Sequence, residues 1–375
     1  MKVSVLMTTY NHEDFIRESI DSVLMQRTNF KYELVICEDY SDDNTRAIVK
    51  EYKLRYPDII KLNLQDYNTG GKGTFLSTFK MCKGEYIAFL EGDDYWIDEK
   101  KLQKQVEFLD KNLDCSFCGH GYKRYYHETG NFLGNIVHEN RKFSLEDFIK
   151  EEAKNESNKL FPRLLTIMFR KSALENHPNF NEKVPTVDMM RVILLLEKGY
   201  GAFLEDVMGT YRINKDSTTQ KDKIKFLERW IQVKQYILEY LPLKYSEDIQ
   251  MSIEKSIIRK SYSEFIDRFM DPSNSHDIVK YFKTNNFNNI AIYGVGTLCN
   301  LLIKKIEGSG VNILHFIDKN TRGDNQINII EPYEVDDNLN VDVIIITPSF
   351  DFNNIREFLK KKTKIKIISI EDILS

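Results

Sequence analysis

Short runs of apolar residues alternate with longer amphipathic stretches along the first half of the chain. The runs "KVSVLMTTY" and "YELVICED" predict buried strands, and "GEYIAFLEGDDYW" begins with an apolar run that predicts another. Between the first two runs, "HEDFIRESIDSVLMQ" has the periodicity of a helix with one apolar face. This alternation of strands and helices is typical of units that build a mostly parallel sheet.

Further segments continue the pattern. Residues 44–55 predict a helix that ends before Pro57, and "IIKLNLQ" predicts a third strand. The glycine-rich segment "NTGGKGTF" precedes another helix, and "DEKKLQKQVEFLDKN" predicts a helix with Asp98 as its N-cap. The segment "YKRYYHETGNFLG" predicts a β-hairpin that turns at residues 129–131.

The character of the chain changes after residue 220. Two long segments, "DKIKFLERWIQVKQYILEYL" and "SEDIQMSIEKSIIRKSYSEFIDRF", have helical periodicity and almost no glycine. The turn-rich "DPSNSHD" follows, and "NNIAIYGVGTLCNLLIKKI" then starts a new strand, turn and helix. We therefore predict an α/β domain over residues 1–220, a helical connector over 221–275 and a small α/β domain over 276–375.

Composition and charge restrict the possible partners and location. The chain has 375 residues, a net charge of −4 and a pI of about 6.1, so we expect no nucleic-acid partner. The longest apolar run, "VDVIIITP", is far shorter than the ~20 residues of a membrane-spanning helix. Without a transmembrane segment or signal peptide, we expect a cytoplasmic protein, either free or peripheral at the inner face of the membrane.

The five cysteines predict reduced thiols rather than a disulfide framework. Cys115 and Cys118 form a CxxC pair near His120, but no second ligand pair follows at zinc spacing. We interpret both cysteines as small apolar residues of a strand. No reactive Cys and no grouping of Ser, His and Asp indicates a covalent nucleophile.

Polar residues gather where the predicted strands end. Ligands collect at the carboxyl ends of strands in open parallel sheets, and carboxylates there can coordinate a hard divalent cation. A single acidic residue in such a place is more often a helix cap or a turn residue. The polar strand ends are Thr8, Thr9, Tyr10 and Asn11, then Glu38 and Asp39, and then Glu91, Asp93 and Asp94.

Four motifs in order give the sequence a resemblance to the inverting family 2 glycosyltransferases with a GT-A fold. "VSVLMTTYN" resembles the family's first strand and nucleotide loop, "ELVICEDYSDDNT" its acidic strand end, and "GEYIAFLEGDD" the strand that carries its metal motif. "VDMMRVILLLEKGYGAFLEDVMGTYRINKDS" is similar to the segment that holds the catalytic base. The resemblance covers about residues 1–220 and implies a nucleotide-diphosphate sugar donor, with UDP as the expected nucleotide.

For the nucleotide, the resemblance implies that Thr8 and Tyr10 hold the donor, together with Asn11 of the same loop. Asp39 is expected to hydrogen-bond the base. The glycine-rich segment adds two candidates, because Gly71 can bring the backbone close to the donor phosphates and Lys72 can supply charge. The same segment is equally typical of a simple turn.

For the cofactor, the resemblance implies a divalent cation, Mn²⁺ or Mg²⁺, bound by Asp93. Glu91 occupies the first place of the family's DxD motif, so this chain carries an ExD variant in which Glu91 contacts the metal or the donor ribose. Asp94 is expected to support the site or to contact the donor sugar. Trp96 can stack on a sugar ring or pack in the core, and the core is the commoner place for tryptophan.

For catalysis, the resemblance implies that Asp188 is the general base, which removes the acceptor hydroxyl's proton in a single inverting displacement. An aspartate at the start of the helical pattern "MMRVILLLEKG" is also typical of an N-cap. Asn214 lies where relatives often carry His, so whether the chain supplies a third protein ligand to the metal is left open. The expected acceptors are a cell-surface glycan, a teichoic-type polymer or a surface protein such as flagellin; a homo-oligomer is also open.

The C-terminal segment "IAIYGVGTLCN" contains Gly294 and Gly296, and Asp318 ends the next predicted strand. The pattern resembles a degenerate Rossmann-like domain, which either binds a nucleotide or serves structure, acceptor positioning or assembly. Two rival functions follow for the chain. One is a nucleotide-dependent oxidoreductase with its chemistry in this domain, and the other is a non-catalytic sugar-binding protein.

Overall fold

The structure is a computed structural model, and it divides into two compact units, Met1–Ser256 and Ile257–Ser375. The domain boundaries expected after residues 220 and 275 stay predictions. The residues that the structure describes are 1–154, 159–175, 177, 188–214, 223–271, 275–318, 329–348 and 352–373.

The first unit is built on one large sheet. Its described strands are β1 Val3–Thr9, β2 Tyr32–Glu38, β3 Ile60–Leu64, β4 Tyr86–Glu91, β5 Tyr95–Trp96, β6 Cys115–Tyr126, β7 Asn131–Ile136, β8 Lys142–Phe143, β9 Met168–Arg170 and β10 Tyr200–Ile213. They lie in the order β3-β2-β1-β4-β9-β6-β10-β5, with β7 beside β6 and β8 beside β10. The block β3-β2-β1-β4 is parallel, and antiparallel β9 joins it to a parallel pair of β6 and β10.

Helices cover the faces of this sheet, as the alternation of patterns predicts. The described ones are α1 Ile16–Leu24, α2 Thr45–Arg55, α3 Gly70–Met81, α4 Lys101–Lys111, α5 Leu145–Lys154, α6 Lys171–Glu175, α7 Asp188–Leu196, α8 Lys223–Tyr240 and α9 Ser246–Met270. Helix α4 begins two residues later than expected. Asp98 is not its N-cap, and instead accepts the backbone N–H of Lys100 (2.7 Å).

The period of two along the central strands divides their side chains between two buried clusters. Val5 and Met7 of β1 pack with Ile20 of α1 on one face of the sheet. Leu6 packs on the other face with Phe75 of α3 and with the apolar residues of α7. Because both faces are covered, the central strands are mostly apolar, and Thr8, Thr9, Glu38 and Glu91 lie at their carboxyl ends.

The two long helical segments predicted after residue 220 are helices α8 and α9. Val233 and Ile237 of α8 and Ile253 of α9 belong to the same buried cluster as α7. A buried ammonium reinforces this packing, because Lys234 forms an ion pair with Glu152 of α5 (2.9 Å) and donates to serines of α9. The part of α9 up to Ser256 therefore packs within the first unit.

The second unit confirms the prediction of a small Rossmann-like α/β domain. Its described elements are β11 Asn289–Tyr293, β12 Asn312–Ile317, β13 Ile329–Ile330, β14 Val343–Ile346 and β15 Lys366–Ser369, with helices α10 Ser275–Thr284, α11 Thr297–Ile306 and α12 Phe352–Lys360. The strand order β13-β12-β11-β14-β15 is wholly parallel and reverses beside β11, as in doubly wound sheets.

The glycine turn after β11 is closed by the acid that follows β12. Gly294 has φ +93°, a backbone conformation that favours glycine, and the Val295 N–H donates to Asp318 Oδ2 (2.8 Å). Asp318, which the sequence offers as a ribose-binding acid, thus accepts a hydrogen bond from the turn itself. Nucleotide binding by this domain stays a prediction.

Candidate active site

The strand register brings the polar ends of β1, β2 and β4 to one edge of the sheet. Thr8 lies opposite Glu91 in the pairing of β1 with β4, and Thr9 lies opposite Glu38 in the pairing of β1 with β2. Because these pairs are parallel, their carboxyl ends coincide, and the three polar strand ends of the sequence become neighbours. The predicted grouping of these residues is therefore found.

The nucleotide loop after β1 is held by the loop after β2. The Asn11 N–H donates to Ser41 Oγ (3.0 Å), and the side-chain oxygen of Asn11 accepts the Asp42 N–H (2.9 Å). Asn11 has φ +53°, a conformation that asparagine tolerates better than most residues. Tyr10 is exposed, with its hydroxyl 3.4 Å from Asp42 Oδ2, so its ring is accessible to a ligand.

Asp39 is buried and binds the beginning of helix α3. Its Oδ1 accepts hydrogen bonds from the Thr69 N–H (2.8 Å) and hydroxyl (2.9 Å), and its Oδ2 accepts the Gly70 N–H (2.9 Å). Asp39 thus satisfies N–H groups that have no partner within the helix. The lone pairs that remain on this carboxylate are what a nucleotide base could use.

The glycine-rich segment is helical from Gly70 onward, so Gly71 and Lys72 lie in the first turn of α3 rather than in a loop. Of Lys72 only the backbone is described. A Cβ at Gly71 would have no heavy atom within 4 Å, so this face of the turn is open. A helix N-terminus with an open face suits the approach of a phosphate, in keeping with one of the two interpretations of the segment.

A tight turn after β4 presents the three carboxylates. The Asp94 N–H donates to the Glu91 carbonyl (3.1 Å), and the Gly92 N–H donates to the Thr8 carbonyl (2.9 Å). A Cβ at Gly92 would lie 2.5 Å from Thr9 Oγ1 and 2.8 Å from His12 Nδ1. The turn can therefore approach β1 this closely only because residue 92 is glycine.

Arg212 of β10 is hydrogen-bonded to the same turn at two places. Its Nε donates to the Asp93 carbonyl (2.7 Å), and its backbone N–H donates to Asp94 Oδ1 (2.8 Å). Its Nη2 forms an ion pair with Glu18 Oε2 of α1 (2.6 Å), and the Arg212 side chain is 6% exposed. These bonds fix the turn to β10 and leave the Asp93 carboxylate, which is 19% exposed, turned to the accessible side with His12 Nε2 at 3.9 Å.

Two carboxyl groups of the turn, those of Glu91 and Asp94, have raised pKa values. Burial, followed by the charges of Asp93 and Asp188, raises the pKa of Glu91 to about 8. Burial and the charges of Asp93 and Glu91 raise the pKa of Asp94 well above its ordinary value, and Asp94 Oδ2 is a buried acceptor without a partner among the described residues. Arg163 acts to lower the pKa of both carboxyl groups and Arg191 that of Glu91, but the pKa values stay raised.

A divalent cation fits this donor set. Hard cations take carboxylate oxygens, and a cation beside Glu91 and Asp93 would relieve the repulsion that raises the pKa of Glu91. Within the described ranges, no group of three or more His, Cys, Asp or Glu side chains could hold a metal ion by itself. A cation at this turn would therefore need further oxygen ligands from substrate phosphates or water.

Asp188 begins helix α7, and its charge is one of the causes that raise the pKa of Glu91, after burial and the charge of Asp93. Its side chain is 42% exposed, and its Oδ1 accepts a hydrogen bond from Arg191 Nη1 one turn later (3.2 Å). The residues before Asp188 in the motif "KVPTVDMM" lie outside the described residues. Asp188 is thus placed near the carboxylate turn with one oxygen bonded, which suits a base that faces a substrate.

Three other expectations can be compared with the structure. Trp96 packs in the core, where its Nε1 donates to the Leu165 carbonyl (2.9 Å), so the sugar-stacking interpretation is wrong. Cys115 and Cys118 are buried free thiols on β6, as expected. Asn214 is buried directly after β10, and its part in a metal site stays a prediction.

Two arginines of the site were not found by sequence reasoning. Arg212 lies in the segment that resembles the one holding the catalytic base, but nothing local shows that it reaches Glu18 and the Asp93 carbonyl. Arg191 follows Asp188 by three residues, which is the spacing of side chains that meet on a helix. That spacing was a usable signal for Arg191.

Comparison with known proteins relates the part of the chain that carries this site to glycosyltransferases. The model of the family described as "Glycosyl transferase family 2" matches residues 4–177. The Escherichia coli protein WfgD, a UDP-Glc:alpha-D-GlcNAc-diphosphoundecaprenol beta-1,3-glucosyltransferase, is 42% identical over 110 residues, which are 29% of this chain and 42% of WfgD. A poly(ribitol-phosphate) beta-glucosyltransferase of Bacillus spizizenii is 34% identical over 114 residues, which are 30% of this chain and 18% of that protein.

The similarity extends to the fold but not to the full length of the relatives. The crystal structure of S. aureus TarS 1-349 has a TM-score of 0.50 at 20% identity, over 74% of this chain and 74% of that one. The chain spans 36% of the length of mycobacterial proteins that it matches at 39% identity. Among the described helices, none combines the length and apolar character that a bilayer crossing requires.

Proposed function

Because residues 4–177 match the model of glycosyl transferase family 2, we propose that this chain transfers a sugar from a nucleotide-diphosphate donor to an acceptor hydroxyl. We propose UDP as the nucleotide, inversion at the anomeric carbon and dependence on Mn²⁺ or Mg²⁺. The observation that carries the proposal is the strand register, which gathers the polar ends of β1, β2 and β4 at one edge of the sheet, where the charges of Asp93 and Asp188 add to burial in raising the pKa of Glu91. A family member needs its cation ligands and its base near one another at this edge.

For donor binding, we assign the nucleotide to the edge formed by Thr8, Tyr10, Asn11 and Asp39. The exposed Tyr10 ring supplies a stacking surface for the base, and Asp39 supplies acceptors beside it. The first turn of α3 at Gly71 adds backbone N–H groups and an open approach for the phosphates. The charge of Lys72 is part of the same proposal.

Glu91 and Asp93 would hold the cation, with Asp94 behind them. When bound, the cation supplies positive charge that stabilises the diphosphate leaving group. Arg212 keeps Asp93 at the end of the turn through the Asp93 carbonyl, and it holds Asp94 through a backbone hydrogen bond. We assign Asp94 to the support of the turn and to contact with the donor sugar.

Asp188 acts as the general base. Its carboxylate takes the proton of the acceptor hydroxyl as that oxygen forms the new bond to the anomeric carbon, while the bond from this carbon to the diphosphate oxygen breaks. Attack from the face opposite the leaving group inverts the configuration in one step. No covalent enzyme intermediate is required, and the five cysteines are buried.

For the acceptor, we propose a glycan or a teichoic-type polymer. Two relatives of this chain are named for acceptors of these kinds, a diphosphoundecaprenol-linked sugar for WfgD and poly(ribitol-phosphate) for the Bacillus spizizenii protein. Both matches cover less than half of the named protein, so they support a class of acceptor and not a particular one. A surface protein such as flagellin is the alternative for the same hydroxyl chemistry.

A donor panel with two variants tests the proposal. Binding of nucleotide sugars is measured by calorimetry with Mn²⁺, Mg²⁺ or EDTA, and transfer or slow hydrolysis is followed by nucleotide release. We expect Asp93→Asn to lose cation-dependent donor binding, and Asp188→Asn to keep donor binding but lose transfer. Asp114→Asn is the matched control, because Asp114 is a surface carboxylate paired with Lys142.

The outcomes separate the proposal from its rivals. If neither Asp93→Asn nor EDTA changes donor affinity or the rate of transfer, the assignment of the cation is contradicted. Donor binding without transfer to any glycan, polymer or flagellin acceptor would favour a sugar-binding protein. Binding of NAD(P) that Gly296→Ala or Asp318→Ala abolishes would favour the oxidoreductase.

A further inference from the structure

Arg191 is a buried cation beside the proposed base. Its side chain is 10% exposed, and its guanidinium lies 4.0 Å from the centre of the Phe75 ring and 5.7 Å from that of Phe89. Phe75 belongs to α3 and Phe89 to β4, so Arg191 is enclosed between three elements of the first unit. A charge in such a place needs opposite charges nearby, because burial removes its hydration.

Those opposite charges belong to Asp188 and Glu91. Arg191 Nη1 donates to Asp188 Oδ1 at 3.2 Å. Burial lowers the pKa of Arg191, and the charges of Asp188 and Glu91 act against that change. The guanidinium is therefore near both the proposed base and the first carboxylate of the ExD motif.

A simpler interpretation is a helix pair at spacing i, i+3 at the start of α7. Such pairs form between exposed side chains and contribute a few tenths of a kcal/mol. Arg191 differs because its guanidinium lies over the Phe75 ring, with Phe89 also nearby, and because the charge of Glu91 on another element also acts on it. A surface pair would not require the burial of an arginine against β4.

We propose that Arg191 is a positioning residue that holds the Asp188 carboxylate by Oδ1 and thereby assigns Oδ2 to the acceptor hydroxyl. The proposal rests on Asp188 as the base of the proposed function. A fixed guanidinium limits rotation of the carboxylate at the exposed beginning of α7, so that the free oxygen keeps one orientation. Arginine is suited to this role because its planar, rigid set of donors stacks on aromatic rings.

The proton path follows from this assignment. The hydroxyl O–H bond of the acceptor breaks, the proton passes to Asp188 Oδ2, and the acceptor oxygen bonds to the anomeric carbon as the diphosphate leaves. Arg191 keeps its protons throughout, because a guanidinium is not deprotonated in proteins, and it only donates to Oδ1. Arg191 therefore affects the turnover number and not the binding of the donor.

Arg191→Met and Arg191→Lys test the proposal in the full-length protein, with Mn²⁺ and the donor that the panel identifies. Loss of a residue that orients a catalytic group commonly costs 10–100-fold, so we expect Arg191→Met to lower kcat by about that factor. Donor Kd from calorimetry is expected to change less than about twofold. Arg191→Lys, which keeps the charge but not the planar donors, is expected to recover part of kcat.

Arg170→Met is the matched control for the loss of a structural arginine. Arg170 stacks on the Tyr86 ring and donates to the carbonyls of Cys115 and Leu109, away from the carboxylate turn. Both Met variants are expected to lower the melting temperature. Only Arg191→Met is expected to lower kcat at a temperature where each variant is fully folded.

The decisive comparison is between Asp188→Asn and the double variant Asp188→Asn with Arg191→Met, both measured by single-turnover transfer. If Arg191 acts through Asp188, adding Arg191→Met to Asp188→Asn causes no further loss. An equal further loss in that background, or an unchanged kcat in Arg191→Met, would overturn the inference while leaving the base intact. Full turnover in Asp188→Asn itself would overturn the base and this inference together.

A variant that does not fold leaves the test in place. If Arg191→Met melts below the assay temperature, Arg191→Lys takes its place in both backgrounds. A lower kcat at unchanged donor Kd for Arg191→Lys, absent in the Asp188→Asn background, supports the positioning role. A kcat equal to that of the unaltered protein would contradict it.

Discussion

Gly92 separates the two carboxylates that we propose as cation ligands, and the substitution Gly92→Ala tests how closely the turn must approach β1. The added Cβ would lie 2.5 Å from Thr9 Oγ1, 2.7 Å from Thr9 Cβ and 2.8 Å from His12 Nδ1. Carbon does not tolerate such distances. Either Thr9 and His12 or the turn itself must therefore move.

The turn has little freedom to absorb this change. The Gly92 N–H donates to the Thr8 carbonyl (2.9 Å), and its carbonyl accepts the Ser19 hydroxyl (2.8 Å). Thr9 Oγ1 in turn lies 3.2 Å from His12 Nδ1. Forcing extra volume into a packed site of this kind costs about 1–3 kcal/mol, and for a domain of this size each kcal/mol lowers the melting temperature by roughly 2–4 °C.

The assay combines thermal unfolding with calorimetry of donor binding in Mn²⁺. We expect Gly92→Ala to melt lower and to bind the donor more weakly, because movement of the turn displaces Glu91 and Asp93 together. Gly296→Ala in the second unit is the control, since its Cβ meets no atom within 4 Å, so we expect its melting temperature and donor Kd to stay close to those of the unaltered protein. A Gly92→Ala protein with unchanged melting temperature and donor Kd would refute this account of the turn.

Two further predictions concern stability. Trp96→Ala removes a fully buried ring, so we expect the free energy of unfolding to fall by about 3–5 kcal/mol in chemical denaturation, and a near-neutral result would contradict its place in the core. Burial would raise the pKa of Glu33, but hydrogen bonds from Lys61, Ser4 and the Lys83 N–H outweigh it and lower that pKa. Glu33 should therefore stabilise the fold above its unfolded pKa of about 4.3, with the effect lost as pH falls through the lower folded pKa. Denaturation of Glu33→Gln should thus differ from the unaltered protein at pH 7 and converge with it in acid, whereas a difference that persists at low pH would contradict this origin.

The central strands could be predicted because strands that are buried on both faces appear in the sequence as short runs of apolar residues. The interiors of β1, β2 and β4 are mostly apolar, and their carboxyl ends are the first places where polar residues can reach solvent. Parallel pairing then makes those ends neighbours without further information. This is why Thr8, Asp39 and Asp93 could be grouped from sequence.

The second half of the first unit could not be predicted in the same way. Strands β6 and β10 are 12 and 14 residues long and pair in parallel across register shifts, so their apolar periodicity is interrupted. The helices α8 and α9 were predicted correctly as helices. Their packing against α7 depends on tertiary contacts that helical periodicity does not specify.

Within the site, the sequence indicated which side chains reach the edge but not what each one binds there. Asp39 was expected to face the nucleotide, and its carboxylate is also bonded to Thr69 and Gly70 at the start of α3. Arg212 is separated by more than 100 residues from the Asp93 carbonyl that it contacts. Contacts of this range are set by the register of β10 and β5, which local patterns do not encode.

Glu91 is the position where the chain departs from the DxD motif of the family it resembles, and its surroundings give that departure a physical meaning. The charges of Asp93 and Asp188 raise the pKa of Glu91 after burial has done so, whereas Arg191 lowers it. Glu91 is therefore close enough to Asp93 and to Arg191 for both charges to act on its carboxyl group. Because Arg191 also donates to Asp188 Oδ1, the first carboxylate of the ExD motif and the proposed base share one buried guanidinium as a neighbour.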